Sequence, residues 1–293
     1  MLLGALIWGL AFAFQSQAMM LGMLPYAYTA VRMGLGGLCL LPVVLINRKK
    51  TLPATKKERK KLMAVGALLG LMLAIATNLQ QLGMVAGASA GKTSFITTLY
   101  VVLVPICGLF LKKKVSPTVW ISVLLAVAGL YCLCIKENFT IAPSDLLVML
   151  CAFGYTLHIL VIDYFTQRVD GVKMSCIQFL TCAILSAILM LIFENPTWAD
   201  IVPCMGSVLY VGVFSSGVAY TLQILAQKDS NPTIVALLLS LESVFGAVSG
   251  AIGQVVTGEG VAGKAVAVFG DPAIGEKCMV CIYSGVHHGY GGG

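Results

Sequence analysis

Charged residues are scarce in this sequence of 293 amino acids, of which only 11% are Asp, Glu, Lys or Arg. Hydrophobic residues make up 59%, and the mean hydropathy is +0.94. A chain of this composition lacks the polar surface that an ordinary soluble domain needs in water. The scarcity of charge therefore excludes a soluble globular protein and predicts that lipid is the main solvent of its surface.

Several functional signatures are also missing. Basic and aromatic residues do not interleave as they do in nucleic-acid-binding proteins. No Ser/His/Asp set and no pair of carboxylates is spaced as catalysis requires, and no ATP-binding element is present. The ten cysteines are scattered through apolar runs, which favours buried thiols over a disulfide framework. We therefore predict no nucleic-acid partner, no enzymatic activity and no ATP-driven pump.

Two motifs of soluble proteins occur in incomplete form. Gly87–Thr93 resembles a phosphate-binding loop but has three residues between its glycines where four are needed. Cys278-x-x-Cys281 followed by His287-His288 resembles a zinc site without its second pair of ligands. We give neither motif weight and predict no cofactor and no metal ion.

Long apolar runs are what the sequence has in place of charge. A helix needs about 20 apolar residues to cross the hydrocarbon core of a membrane. Nine runs approach that length: Leu2–Leu21, Tyr26–Ile46, Leu62–Leu82, Thr93–Leu111, Val119–Ile135, Asp145–Tyr164, Met174–Phe193, Ile201–Ala226 and Thr233–Gly253. Runs of this length exclude a transmembrane barrel, so we predict an all-α polytopic membrane protein.

Basic residues stand in every second gap between these runs. The gap from Asn47 to Lys61 holds eight of them, and the later basic gaps contain Lys112 to Lys114, Arg168 with Lys173, and Lys228. The intervening gaps contain Lys136 among acidic residues. By the positive-inside rule, the N-terminus is predicted to be cytoplasmic and the protein to lie in the inner (plasma) membrane.

The spans fall into two series. Residues 1–136 carry five predicted helices, residues 143–253 carry four, and residues 254–293 form an atypical glycine-rich tail. Leu79-Gln80 and Leu222-Gln223 occupy similar places in the two series. An odd number of helices per unit would insert the two copies in opposite orientations and place a solute site between them. The predicted fold is thus two inverted five-helix repeats, with nine clear helices and the tenth absent or corrupted.

An ionisable side chain at membrane depth costs roughly 2.5–3.5 kcal/mol to insert, and four such residues within or at the start of the predicted spans are functional candidates. Arg32 and Lys92 lie toward the outer side, where each can attract a carboxylate or phosphate or, alternatively, extend to the membrane surface. Glu242, in the middle of the ninth span, is a candidate proton-coupling carboxylate or a structural partner of a basic group. His158 is a candidate ligand of the solute or a neutral packing residue.

Uncharged polar residues and one tryptophan complete the predicted solute site. They can converge on a solute or, alternatively, form hydrogen bonds that hold the helices together. Helical spacing places Asn78 and Gln81 on one face of the third span. The candidates are Trp8, Gln15, Asn78, Gln80, Gln81, Tyr100, Gln178, Tyr220 and Gln223.

Several segments carry a family resemblance. The chain resembles the EamA-type transporters of the drug/metabolite transporter superfamily over about Leu2 to Gly250. The matching segments are Ala5–Phe12, Ala30–Gly36, Phe95–Pro105, Val115-Ser116-Pro117 with Gly129, and Leu239–Phe245. The resemblance implies ten helices in two inverted repeats around a central cavity, with alternating access and cargo such as amino acids, nucleobases or drug-like cations.

The chain departs from the family pattern in two places. Ser243 stands where proline is common after the glutamate, and Gly258-Glu259 leads into mixed, glycine-rich sequence instead of a final apolar span. We hypothesise a reading-frame error or a truncated gene there. We predict a secondary transporter of small solutes, with the bilayer and protons as further partners and the oligomeric state open. The alternative is a non-transporting membrane protein, either a membrane enzyme or a structural subunit.

Overall fold

The computed structural model describes residues 1–46, 55–110, 142–166 and 169–228 continuously, together with parts of 117–128 and 235–249. Within these residues the chain is helical and contains no strand. Seven described helices are long and apolar enough to cross a membrane: α1 (Leu2–Met20), α2 (Pro25–Ile46), α3 (Lys56–Val85), α4 (Ala90–Phe110), α5 (Pro143–Thr166), α6 (Gly171–Phe193) and α7 (Trp198–Lys228). The predicted all-α polytopic fold is confirmed.

The seven helices correspond to seven of the nine predicted spans. Of the remaining two, Val119–Ile135 lies largely outside the described residues, and Thr233–Gly253 is described in part, with residues 241–246 helical. Met1–Ser249 forms one compact unit. The predicted tail, 254–293, lies wholly outside the described residues, as do its Cys278, Cys281 and histidine pair.

Helix α3 begins at Lys56, before the predicted start at Leu62. Thr55 caps it: the Thr55 hydroxyl accepts a hydrogen bond from the Glu58 amide at 3.2 Å, and the Glu58 carboxylate accepts one from the Thr55 amide at 3.2 Å. Such a capping box stabilises the first turn regardless of its hydropathy. The apolar run therefore predicts the membrane-embedded part of α3 but not its lysine-rich first two turns.

Helices α4 and α7 are irregular. The α-helical parts of α4, Ala90–Thr97 and Tyr100–Phe110, are separated by a short turn. Helix α7 contains a ten-residue π-helical stretch, Tyr210–Ala219, before its last α-helical part, Tyr220–Lys228. Because π-helical turns are wide and frequently occur at functional sites, this stretch directs attention to the surface that α7 presents to the interior.

The helices pack closely through small residues. Helix α2 lies against α6 and the π-helical stretch, and α3 lies against α5 and α6. A Cβ atom added at Gly36 would come within 2.7 Å of the Ser216 Cβ, and one at Gly70 within 2.7 Å of the Gln178 carbonyl oxygen. These contacts bring helix backbones together, as the glycines in the sequence predict for membrane helices.

The surface and interior have the distribution expected for a protein in lipid. Large apolar side chains such as Ile46, Phe110 and Leu191 are exposed, whereas Phe179 and Gln178 on α6 are fully buried. The polar groups concentrate inside because the surrounding hydrocarbon offers them no hydrogen bonds. The interior of this unit is therefore where a polar solute would find partners.

Candidate solute-binding cavity

A cavity lies in the middle of the helical unit. It contains about 520 Å³ of space not filled by atoms, its open side included. Helices α1 to α5, α7 and the segment around residues 239–242 all contribute to its wall. The lining residues are Trp8, Ala11, Phe12, Gln15, Arg32, Gln80, Thr97, Tyr100, Tyr155, His158, Ile159, Ser215, Tyr220, Gln223, Leu239 and Glu242.

Arg32 supplies a fixed positive charge to this wall. Its side chain is only 3% exposed, and its Nη1 donates a hydrogen bond to the Gln15 Oε1 at 2.8 Å. The guanidinium carbon lies 5.6 Å from the centre of the Tyr28 ring, within the range of a cation–π interaction. No described residue forms an ion pair with Arg32, and its Nε–H has no hydrogen-bond partner among them.

An aromatic surface forms another part of the wall. The Trp8 and Tyr220 rings meet edge to face with centroids 4.7 Å apart, and His158 and Phe179 approach Tyr220 at 6.1 and 5.6 Å. The Trp8 indole N–H donates to the carbonyl oxygen of Ser215 at 3.2 Å. Since Ser215 belongs to the π-helical stretch, the irregular turn of α7 is tied directly to a lining side chain of α1.

Glu242 brings a carboxyl group into the same cavity. Its side chain is buried and lies beside Tyr100 and Thr98 of α4. His158 also lines the cavity, and its Nε2 is 3.1 Å from the Gln178 Oε1, so the ring donates to this oxygen. The cavity thus combines one guanidinium, one carboxyl group, an imidazole and several aromatic rings.

Most of the predicted site residues line this cavity. These are Trp8, Gln15, Arg32, Gln80, Tyr100, His158, Tyr220, Gln223 and Glu242. Their location agrees with a convergent site, while their roles in binding and coupling remain predictions.

Four predicted residues do not line the cavity, and one of them, Gln178, accepts the hydrogen bond from His158. The Asn78 amide donates to the Ala74 carbonyl at 2.9 Å and to the Ser186 hydroxyl at 2.8 Å, which ties α3 to α6. The Gln81 amide donates to the Gln15 Oε1 from behind the wall. These two side chains therefore form hydrogen bonds between helices, which is the alternative that the sequence analysis considered for them.

The fourth, Lys92, forms an ion pair with Asp145, with Nζ and Oδ2 2.9 Å apart. Asp145 also accepts a hydrogen bond from the Ala142 amide at 2.9 Å. This pair joins the beginning of α4 to the beginning of α5. The predicted attraction of Lys92 for an anionic group is therefore satisfied within the chain.

The cavity also contains residues that the prediction missed, notably Thr97, Tyr155 and Ser215. Tyr155 could have been found, because it stands three positions before His158 and so shares its helix face. Thr97 receives a hydrogen bond from the Gln80 amide at 3.1 Å. Ser215 gives no signal in the sequence, because its position depends on the π-helical turn.

A second contact joins the two series of helices near the same end as the Lys92–Asp145 pair. Glu194, which follows α6, accepts hydrogen bonds from the Tyr26 and Ala27 amides at the start of α2, both at 2.8 Å. A carboxylate at a helix N-terminus satisfies free amides and interacts favourably with the helix dipole. This contact and the Lys92–Asp145 ion pair link α2 to α6 and α4 to α5.

Comparison with known proteins gives concordant results. A model of the EamA-like transporter family matches residues 1–135 and again residues 142–270, beyond Gly250 where the motif resemblance ends. An uncharacterized transporter of Archaeoglobus fulgidus is 29% identical over 246 residues, which cover 82% of this chain and 72% of the relative. A solved structure, described as a crystal structure of a protein, shares the fold with a TM-score of 0.61 and 19% sequence identity. The match covers 87% of this chain and 89% of the chain in that structure.

Proposed function

Because the chain belongs to the EamA-like transporter family and is a multi-pass membrane transporter, we propose that it moves small metabolites, such as amino acids or nucleobases, across the cytoplasmic membrane. The solute occupies the cavity between the two series of helices. The two series rock against each other, so that the cavity opens to the two sides in turn. Solute movement is coupled to protons rather than to ATP.

The observation that carries this proposal is the burial of Arg32 without an ionic partner among the described residues. A buried guanidinium without an ionic partner among the described residues is costly, because its transfer out of bulk water is not offset by a carboxylate among them. An anionic group on the solute supplies the missing partner. A carboxylate suits this role because arginine can donate two parallel hydrogen bonds to it.

Glu242 is the residue that we assign to coupling. A carboxyl group in the same cavity as the solute can exchange a proton whenever the cavity meets water on either side. Arg32 and Glu242 then perform different tasks, since one holds a permanent charge and the other changes its charge.

Alternating access also requires contacts that close one end of the cavity and break when it opens. The Glu194 carboxylate on the α2 amides and the Lys92–Asp145 pair are suited to this task, because each joins one series of helices to the other. Both are polar, and water can replace their hydrogen bonds when the halves separate.

A tryptophan reporter tests the proposed site. Trp120→Phe and Trp198→Phe leave Trp8 as the remaining one of the chain's three tryptophans, inside the cavity. Amino acids and nucleobases are titrated against this protein, each amino acid beside its carboxamide, and fluorescence gives the affinity. We expect carboxylates to bind and Arg32→Ala to weaken them on the order of 30-fold, from about 2 kcal/mol of lost pairing, while carboxamides change little.

Uptake into proteoliposomes then separates transport from binding alone. Accumulation of the bound solute in response to a pH gradient supports the proposal. Inert vesicles containing a folded protein would instead favour the non-transporting alternative. An equal loss of all solutes in Arg32→Ala and in the longer Arg32→Gln would show that the arginine serves packing.

A further inference from the structure

Three side chains from three helices form a hydrogen-bonded chain behind one end of the cavity. Arg32 of α2 donates through Nη1 to the Gln15 Oε1 of α1 at 2.8 Å, and Gln81 of α3 donates through Nε2 to the same oxygen. All three side chains are buried, with exposures of 3%, 3% and 0% for Gln15, Arg32 and Gln81. Arg32 and Gln15 line the cavity, whereas Gln81 stands outside it.

The charge of Arg32 determines how the two amides are oriented. Arginine carries only donors, so the Gln15 atom that faces it must be the carbonyl oxygen. The Gln81 atom in contact with this oxygen must be a donor as well, so Gln81 presents its NH₂ group. The other polar atom of the same amide group, the Gln81 Oε1, has no hydrogen-bond partner among the described residues.

The orientation has a consequence for the cavity. With its oxygen held by two donors, Gln15 can offer only its NH₂ group to a solute, and Arg32 offers its unused Nε–H. The part of the wall that Gln15 and Arg32 form, one end of the cavity, therefore presents hydrogen-bond donors and no acceptor. Such a surface favours a carboxylate, whose two oxygens both accept, over a carboxamide, whose NH₂ group would meet another donor, and over an ammonium, which has no acceptor.

We propose that Gln81 is a positioning residue that acts through Gln15 to keep this donor-only end selective for a carboxylate. The proposal rests on the proposed function, because it assumes that Arg32 faces the solute. The shared oxygen supports it: Gln81 of α3 and Arg32 of α2 donate to the same Gln15 atom, so the Gln15 amide is held from two helices.

Gln81→Leu tests the proposal, because leucine fills a similar volume and cannot donate to Gln15. Only Arg32 then holds the Gln15 oxygen, so the Gln15 amide is held less firmly and one lone pair of its oxygen is free to accept from a solute. We expect carboxylate affinity, measured with the Trp8 reporter on amino acids, to fall roughly fivefold, which corresponds to one hydrogen bond, while affinity for their carboxamides is unchanged or rises.

Asn78→Leu is the matched control. Asn78 stands on the same helix, is also buried and donates two hydrogen bonds, neither of them to Gln15 or Arg32. The control should retain the carboxylate preference of the wild type even where it lowers the melting temperature. An equal change of preference in both variants would reduce Gln81 to a packing role and overturn the proposal.

A second measurement needs no transported solute. The chain contains four arginines, Arg32, Arg48, Arg59 and Arg168, so ¹⁵N-arginine labelling gives four Nε–H signals, and Arg32→Lys identifies the one from Arg32. Gln81→Leu should shift this signal and speed its exchange with water, and Asn78→Leu should not. An unshifted signal in Gln81→Leu overturns the positioning role. A shifted signal in a protein that binds no member of the panel would instead contradict the proposed solute class.

Discussion

At the scale of single residues, a shift of one position along α3 decides whether a polar side chain lines the cavity. Gln80 lines the cavity, whereas its neighbour Gln81 bonds to Gln15 behind the wall and Asn78 bonds toward α6. Successive residues on a helix differ in direction by about 100°, so a polar cluster in the sequence contains members that face different partners. Arg32 and Glu242 were easier to identify as site residues, because a charged group at membrane depth is costly and therefore indicates a functional role.

Glu242→Gln should remove coupling while preserving the fold. Glutamine has nearly the same shape and can still interact with Tyr100 and Thr98, but it cannot carry a proton across. In proteoliposomes, the variant should exchange solute at equal pH and fail to accumulate it under a pH gradient. Asp200→Asn is the control, since Asp200 caps its own turn at an exposed site. Wild-type accumulation in Glu242→Gln would eliminate the coupling role.

Whole elements are positioned by how closely their backbones can approach. Helix α1 meets the 241–246 segment at Gly9, where an added Cβ would lie 2.3 Å from the Phe245 Cβ and 2.9 Å from the Glu242 carbonyl oxygen. Ser249 also donates to the Gly9 carbonyl at 3.0 Å. This approach places Glu242 in the same cavity as Trp8 and Gln15, so a small residue of α1 determines where the carboxyl group of another helix lies.

Gly9→Ala should therefore separate α1 from the 241–246 segment. Neither neighbouring backbone can give way cheaply, and overpacking typically costs about 1–3 kcal/mol. The melting temperature in detergent should fall. Gly4→Ala provides the control on the same helix, because its nearest neighbours would be in ordinary contact at 3.9 and 4.0 Å. Equal melting temperatures for the two variants would contradict this account of the contact.

For the molecule as a whole, the orientation in the membrane rests on the distribution of basic residues. The first two turns of α3 contain Lys56, Lys57, Lys60 and Lys61. The connection between α6 and α7, at the opposite end of the unit, carries Glu194 and Asp200. Cytoplasmic loops carry an excess of basic residues, so the α3 start is predicted to face the cytoplasm and the α6–α7 connection the outside.

Cysteine labelling measures this orientation. In intact cells, a membrane-impermeant maleimide should label Thr197→Cys and should reach Lys57→Cys only after permeabilisation. The unmodified protein, with its ten native cysteines, provides the background signal for both variants. The opposite labelling pattern would reverse the predicted topology and with it the side to which Glu194 and the Lys92–Asp145 pair belong.

The sequence by itself determined the compartment class and most of the helices. Seven apolar runs became α1 to α7, because crossing hydrocarbon requires a run of a certain length and saturated backbone hydrogen bonds, and both are local properties. The start of α3 at Lys56 was missed because a capping box, rather than hydropathy, decides it. The family was also recognisable from local motifs, and the double match confirms it.

The tertiary structure decided which polar residues share one space. It placed Arg32, Glu242 and the aromatic rings around a single cavity, paired Lys92 with Asp145, and withdrew Asn78 and Gln81 into contacts between helices. It also revealed the π-helical stretch that directs the Ser215 carbonyl to Trp8. These outcomes depend on the rotation and close approach of whole helices, which contacts far apart in the sequence determine.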